Sequence, residues 1–138
     1  MKMLKGALAG ALMLLSVDAM AQAWPSKPIK LIAPYPPGGQ TDVVARYFAE
    51  KLTGVLGQQV IVENKAGAQG MVGAEIAKNA APDGYTFVYV NSSMMCINPY
   101  VYKKMPYDGF KDFVPVTQHG LAPLMMVVPP TLGPKSVK

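Results

Sequence analysis

The stretch LIAPYPPGGQTDVVARYFAEKL, Leu31 to Leu52, joins an apolar run to an amphipathic one through Pro36, Pro37, Gly38 and Gly39. On its N-terminal side Ile29 to Ala33 is rich in aliphatics and bounded by Pro28 and Pro34, which predicts a short buried strand. On its C-terminal side Val44, Phe48, Leu52 and Val55 recur at spacings of four, four and three, which predicts a helix from near Thr41 to about Leu56, ended by Gly57. Between strand and helix lies a loop with few side chains to offer.

The same alternation continues outward. Val60-Ile61-Val62 predicts a second strand, Gly70 to Asn79 a second helix, Pro82-Asp83-Gly84 a turn, and Tyr85 to Val90 a third strand. Strands separated by helices of this length form βαβ units, so the expected class is α/β, a parallel sheet flanked by helices. In such sheets the loops leaving the carboxyl ends of the strands gather on one edge, where ligands bind. Three loops are expected there: Tyr35 to Asp42, Asn64 to Gly70, and Asn91-Ser92-Ser93.

A helix start carries unpaired N–H groups and the positive end of a dipole, so it can hold an oxyanion without a cationic side chain. Glycines admit close approach, and Pro36-Pro37 stiffens the loop. A plain strand-to-helix turn explains Gly38-Gly39 equally well on spacing alone. Two nucleotide motifs are excluded. Gln40-Thr41 follows Gly39 where a P-loop needs Lys-Ser or Lys-Thr, and Gly67, Gly70 and Gly73 lack the spacing of a dinucleotide fingerprint. Asp42 suits the first turn as a complement to the helix dipole; facing inward, it would instead meet a hydroxyl, a water or an amino group. Arg46 pairs with an acid or faces solvent, Glu63-Asn64 holds the loops together, and Tyr35 and Tyr85 are core or rim aromatics.

Lys2 and Lys5, an apolar run from Gly6 to Val17, and the sites Ala19-Met20-Ala21 and Ala21-Gln22-Ala23 lay out a secretory signal peptide over residues 1–23. The apolar part is too short to span a bilayer core of about 30 Å, so the mature chain should begin near Gln22 or Trp24. Losing two of 13 basic and one of eight acidic residues leaves 11 against 7. That modest, dispersed excess argues against nucleic acid and for a small anion. Cys96 stands alone and is expected as a buried free thiol. With the single His119, no metal cluster or Ser/His/Asp set can be assembled; Ser92 and Ser93 are the only evident nucleophiles and lie in no G-x-S-x-G elbow. No cofactor is expected. Met125-Met126 lies in an apolar strand, and Val127 to Lys138 reads as a strand opening into a new element, as in a piece of a longer protein.

KPIKLIAPYPPGGQTDVVAR (27–46), LGQQVIVENKAGAQGMVGAEIA (56–77), APDGYTFVYV (81–90), INPYVYKKMPYD (97–108) and KDFVPV (111–116) resemble, in this order, the N-terminal portion of the receptor family of tripartite tricarboxylate transporters, also called the Bug family. The resemblance implies a periplasmic-binding-protein-like fold of two lobes that close on a small organic acid and hand it to a membrane permease, the receptor being monomeric at full length. It places lobe one at 24–97 and the crossover and truncated start of lobe two at 98–138. It also implies that Tyr35, Pro36, Pro37, Gly38, Gly39, Thr41 and Asp42 form a carboxylate-holding loop working through amides and water. Gly67, Ala68 and Gly70 match the second ligand turn, and Ser92 and Ser93 the third, where helix capping is an equal reading. The alternatives are an inert product of an interrupted receptor gene and an exported α/β hydrolase. The ligand itself is not legible.

Overall fold

A computed structural model describes residues 23–121, 127–129 and 131. Residues 1–22, which hold most of the expected signal peptide, Met125-Met126 and residues 132–138 lie outside the described residues. Three parallel strands, β1 (Ile29–Ala33), β2 (Val60–Asn64) and β3 (Thr86–Val88), form a sheet of order β2-β1-β3. β1 is central, with Ile29 opposite Val60 and Ala33 opposite Asn64 on one side, and Lys30 to Ile32 opposite Thr86 to Val88 on the other. The helices are α1 (Gln40–Leu56), α2 (Met71–Lys78), entered through a 3-10 turn at Ala68–Gly70, and the short α3 (Asn98–Val101), entered through a π-helical turn at Ser93–Ile97. Among the described residues no helix is long and apolar enough to cross a membrane.

The α/β class and the order of elements follow the reading of the sequence. α1 ends where Gly57 takes the left-handed conformation (φ 67°) and donates its N–H to the Thr53 carbonyl. β3 is shorter than expected, because full pairing with β1 covers only Thr86 to Val88. The Tyr85 carbonyl and Tyr89 N–H still bond Lys30 and Ile32 just beyond.

Two apolar clusters hold the layers. Ile29, Ala49 and Val60 pack α1 onto the sheet with Leu31, Leu56, Val62, Tyr85 and Phe87 around them. Met71, Ala74, Met94 and Tyr107 form the second cluster, joined by Tyr35, Val90, Tyr102, Met105 and Phe113. This second cluster runs across the position 97/98, so residues on both sides of it share one packed core. Lys78 adds an ion pair with Asp112 at 2.8 Å and a hydrogen bond to the Pro106 carbonyl. Cys96 corrects one expectation: it is a free thiol but exposed, because the π-helical turn buries Met94 and turns Cys96 outward.

Candidate functional site

The carboxyl ends of β1, β2 and β3 release three loops onto one edge, and side chains tie them together. The first knot is Asp42, in the first turn of α1 and only 4% exposed. Its carboxylate accepts the Gly38 N–H at 2.9 Å, the Asn64 side-chain amide at 2.8 Å and the Arg46 guanidinium at 3.0 Å. Arg46 also donates to the Asn64 side-chain oxygen at 3.0 Å, and the Asn64 amide reaches the Tyr35 carbonyl at 3.2 Å. The Arg46 hydrogen bond, then those from Gly38 and Asn64, outweigh burial and hold the Asp42 pKa down to about 2. Asp42 thus directs its charge at protein groups and fixes the loop. Arg46 is its ionic partner, and Asn64 is the tie between loops. Glu63, beside Asn64, is paired with Lys30 at 3.0 Å and Lys65 at 3.4 Å, and the Lys30 contact first of all lowers its pKa.

Gly38 and Gly39 differ. Gly38 has φ +79°, a left-handed conformation that makes glycine the natural residue, and its N–H is committed to Asp42. Gly39 has an ordinary φ of −75°, and a Cβ there would meet the Pro36 carbonyl oxygen at an unstrained 3.5 Å. Neither backbone angle nor space demands glycine at 39. Gly39 is the N-cap of α1 and supplies no side-chain cap, so the first-turn amides are left open to what approaches the edge. Pro36, Pro37, Gly38 and Gly39 are all exposed, whereas Tyr35 and Thr41 are half-buried.

The second loop is built differently. Ala68 (φ 45°), Gln69 (φ 54°) and Gly70 (φ 87°) are consecutive left-handed residues, and Gly67 has φ 145°. A Cβ on Gly67 would lie 2.8 Å from Val72, and one on Gly70 would lie 2.8 Å from the Met94 sulfur. Gly73, inside α2, passes so close to β1's exit that a Cβ would sit 2.7 Å from Pro34 Cβ and 2.9 Å from Pro34 Cα. The Tyr35 hydroxyl joins all three loops, with the Gln69 carbonyl at 3.4 Å and the Asn91 side-chain oxygen at 3.3 Å. Asn91 also caps the third loop by accepting the Met94 N–H at 3.1 Å. Ser92 is exposed and offers no side-chain cap to the turn that follows, and Ser93 is half-buried beside it.

The structure therefore brings Tyr35 to Asp42, Gly67 to Gly70 and Asn91 to Ser93 to one edge. Sequence reading missed Asn91, Gln69 and Asn98 as parts of the wiring behind it. His119 lies elsewhere: its ring packs on Phe48 and Tyr89, with centroids 5.1 and 4.9 Å away, and its Nε2 meets the Tyr89 hydroxyl. Ser92 and Ser93 are not its partners. Among the described residues no group of three or more His, Cys, Asp or Glu is placed to hold a metal. Two shallow depressions, about 330 Å³ between α1 and β2 and about 450 Å³ beside α3, are lined by residues outside the three loops.

Residues 44–138 match the family described as the tripartite tricarboxylate transporter family receptor. The chain belongs to that family. The protein BugT of Bordetella pertussis is 40% identical over 119 residues, 86% of this chain and 36% of BugT. Among solved structures, a Rhodopseudomonas palustris protein with adipate is similar at TM-score 0.61 and 34% identity, covering 62% of this chain and 29% of that one. MatC from Rhodopseudomonas palustris with bound malate is similar at TM-score 0.59 and 32% identity, covering 67% and 32%. The chain thus spans about a third of the length of the proteins it matches.

Proposed function

We propose that this chain forms the first lobe of a periplasmic solute-binding receptor that captures a small carboxylate for a tripartite tricarboxylate-type membrane permease. Residues 24–97 supply the lobe's sheet and loops, residues 98–138 begin the crossover to a second lobe and pack on the first lobe's core as far as Phe113, and residues 1–23 direct export. The receptor binds rather than transforms its solute and works as a monomer. A carboxylate meets the first-turn amides of α1 beside Pro36, Pro37, Gly38, Gly39 and Thr41, with Gly67, Ala68, Gly70, Ser92 and Ser93 facing it from the neighbouring loops. Asp42 and Tyr35 position these loops.

The single observation that carries this reading is Gly39, where glycine answers no demand of angle or packing and leaves a helix N-terminus uncapped. Charge-assisted hydrogen bonds from such amides are worth roughly 1.5–3 kcal/mol each. The receptors crystallised with adipate and malate support a dicarboxylate as the ligand class.

A chimaera in which residues 24–121 replace the matching stretch of MatC tests it by calorimetry. Two lobes enclosing the ligand should give micromolar binding of malate or adipate, against millimolar binding by this chain alone, a gap of about 4 kcal/mol. A folded chimaera that binds no carboxylate, while MatC binds malate, would refute the assignment.

A further inference from the structure

Loop two contains two non-glycine residues in the left-handed region, Ala68 and Gln69. Such a conformation persists only where its surroundings enforce it. The Gln69 carbonyl there accepts the Asn98 side-chain amide from α3 at 3.1 Å, and the Tyr35 hydroxyl from loop one lies 3.4 Å away, sharing its one proton with the Asn91 side-chain oxygen. Asn98 is 3% exposed and lies past all three loops. In the core nearby the buried Tyr107 hydroxyl bonds the Met94 carbonyl at 2.7 Å.

We infer that Asn98 is a positioning residue for the ligand edge: its amide pins the Gln69 carbonyl and so keeps the Gly67–Gly70 turn in the form that presents loop two to a ligand. The inference deepens the carboxylate-receptor reading and rests on it for its ligand half. It also makes the segment that begins at α3 part of the site's wiring, because the Asn98 hydrogen bond to the Gln69 carbonyl ties α3 to loop two beside the packing of Met94 on Gly70. A turn held in advance has less order to gain on binding.

Proton exchange on the full chain tests the structural half without ligand. In the unaltered chain the Asn98 side-chain amide should hold one slowly exchanging proton, and the Gly70 N–H, bonded to the Gly67 carbonyl at 2.9 Å, should be protected. Asn98→Asp removes the donor at nearly constant shape. It should speed Gly70 exchange at least tenfold while the Gly38 N–H, held by Asp42, keeps its rate. Fast exchange of the Asn98 amide in the unaltered chain, or equal acceleration at Gly70 and Gly38, would overturn the inference. In the ligand arm, malate should shift the loop amides of the unaltered chain, and Asn98→Asp should weaken that response about tenfold. No malate response in the unaltered chain overturns the receptor reading, and unchanged affinity in the variant overturns the positioning role.

Discussion

At the loop after β1 the backbone is held by charge: Asp42 gathers the Gly38 N–H, the Asn64 amide and the Arg46 guanidinium. At the loop after β2 it is held by shape: Gly67, Gly70 and Gly73 leave no room for a Cβ against Val72, Met94 and Pro34. The first arrangement keeps α1's amides pointing outward with no side chain in front of them. The second presses α2 onto β1 so that both helix starts reach one edge. Charge fixes a direction, and close packing fixes a distance. The proposed main-chain grip needs both, because it has no long side chain to reach for a misplaced ligand.

Removing the fit at Gly73 should produce the largest effect. Gly73→Ala places a Cβ against Pro34 backbone rather than against a flexible side chain, so α2 must shift. Overpacking of this kind costs about 3 kcal/mol at its upper end, read as a fall in the urea midpoint of the chain. A loss under about 0.5 kcal/mol would show that α2 is free to yield, and shape would no longer distinguish the second loop.

Charge at the first loop should reveal itself through pH. The folded pKa of Asp42 is depressed to about 2, below the ordinary carboxylate value. Its contribution is therefore fully present above about pH 4 and is lost as pH falls through about 2. Asp42→Asn should be less stable than the parent at pH 7, and the gap should close between about pH 4 and pH 2. Urea midpoints measured across that range decide it; a gap independent of pH would mean that hydrogen bonding alone holds the loop.

Gly38→Ala should have a smaller effect, about 1–2 kcal/mol, since the left-handed angle of +79° strains any side chain although nothing lies within 4 Å of the new methyl. A thermal melt checks it. No loss of stability would mean that the Asp42 bond can be kept with a different turn.

Much of this architecture is legible in the sequence. The aliphatic-rich run Ile29 to Ala33 names a strand, and the Val44, Phe48, Leu52, Val55 repeat names a helix. The face that helix buries is nevertheless that of Asp42, Ala45 and Ala49, while Leu52 and Val55 are exposed, so the repeat finds the element and misses its buried side. The rule for parallel sheets then gathers the three loops at one edge. What stays hidden is which way short polar side chains turn. Asp42 and Arg46 stand four apart on one helix, so their pairing is within reach of spacing. Their shared partner Asn64 is not, since it arrives from another strand. Burial of Asp42 separates positioning from ligand contact, and no pattern in the first turn encodes it. Likewise Gln69 reads as a loop residue until its carbonyl is found between Tyr35 and Asn98. Cys96 turns outward because it stands two residues after the buried Met94, on the opposite side of the turn.

The distinction between Gly38 and Gly39 leads to the most direct test of the account, the substitution Gly39→Asp in the MatC chimaera. Gly39 has the extended angles of an N-cap, where an aspartate side chain caps the first-turn amides and complements the helix dipole. The ligand-free melting temperature should therefore hold or rise. Malate affinity, by calorimetry, should fall by about 2 kcal/mol, roughly 30-fold, because the new carboxylate occupies the amides that the ligand needs and repels its charge. A variant that melts no lower than the parent and binds malate as tightly would contradict a main-chain grip at the start of α1.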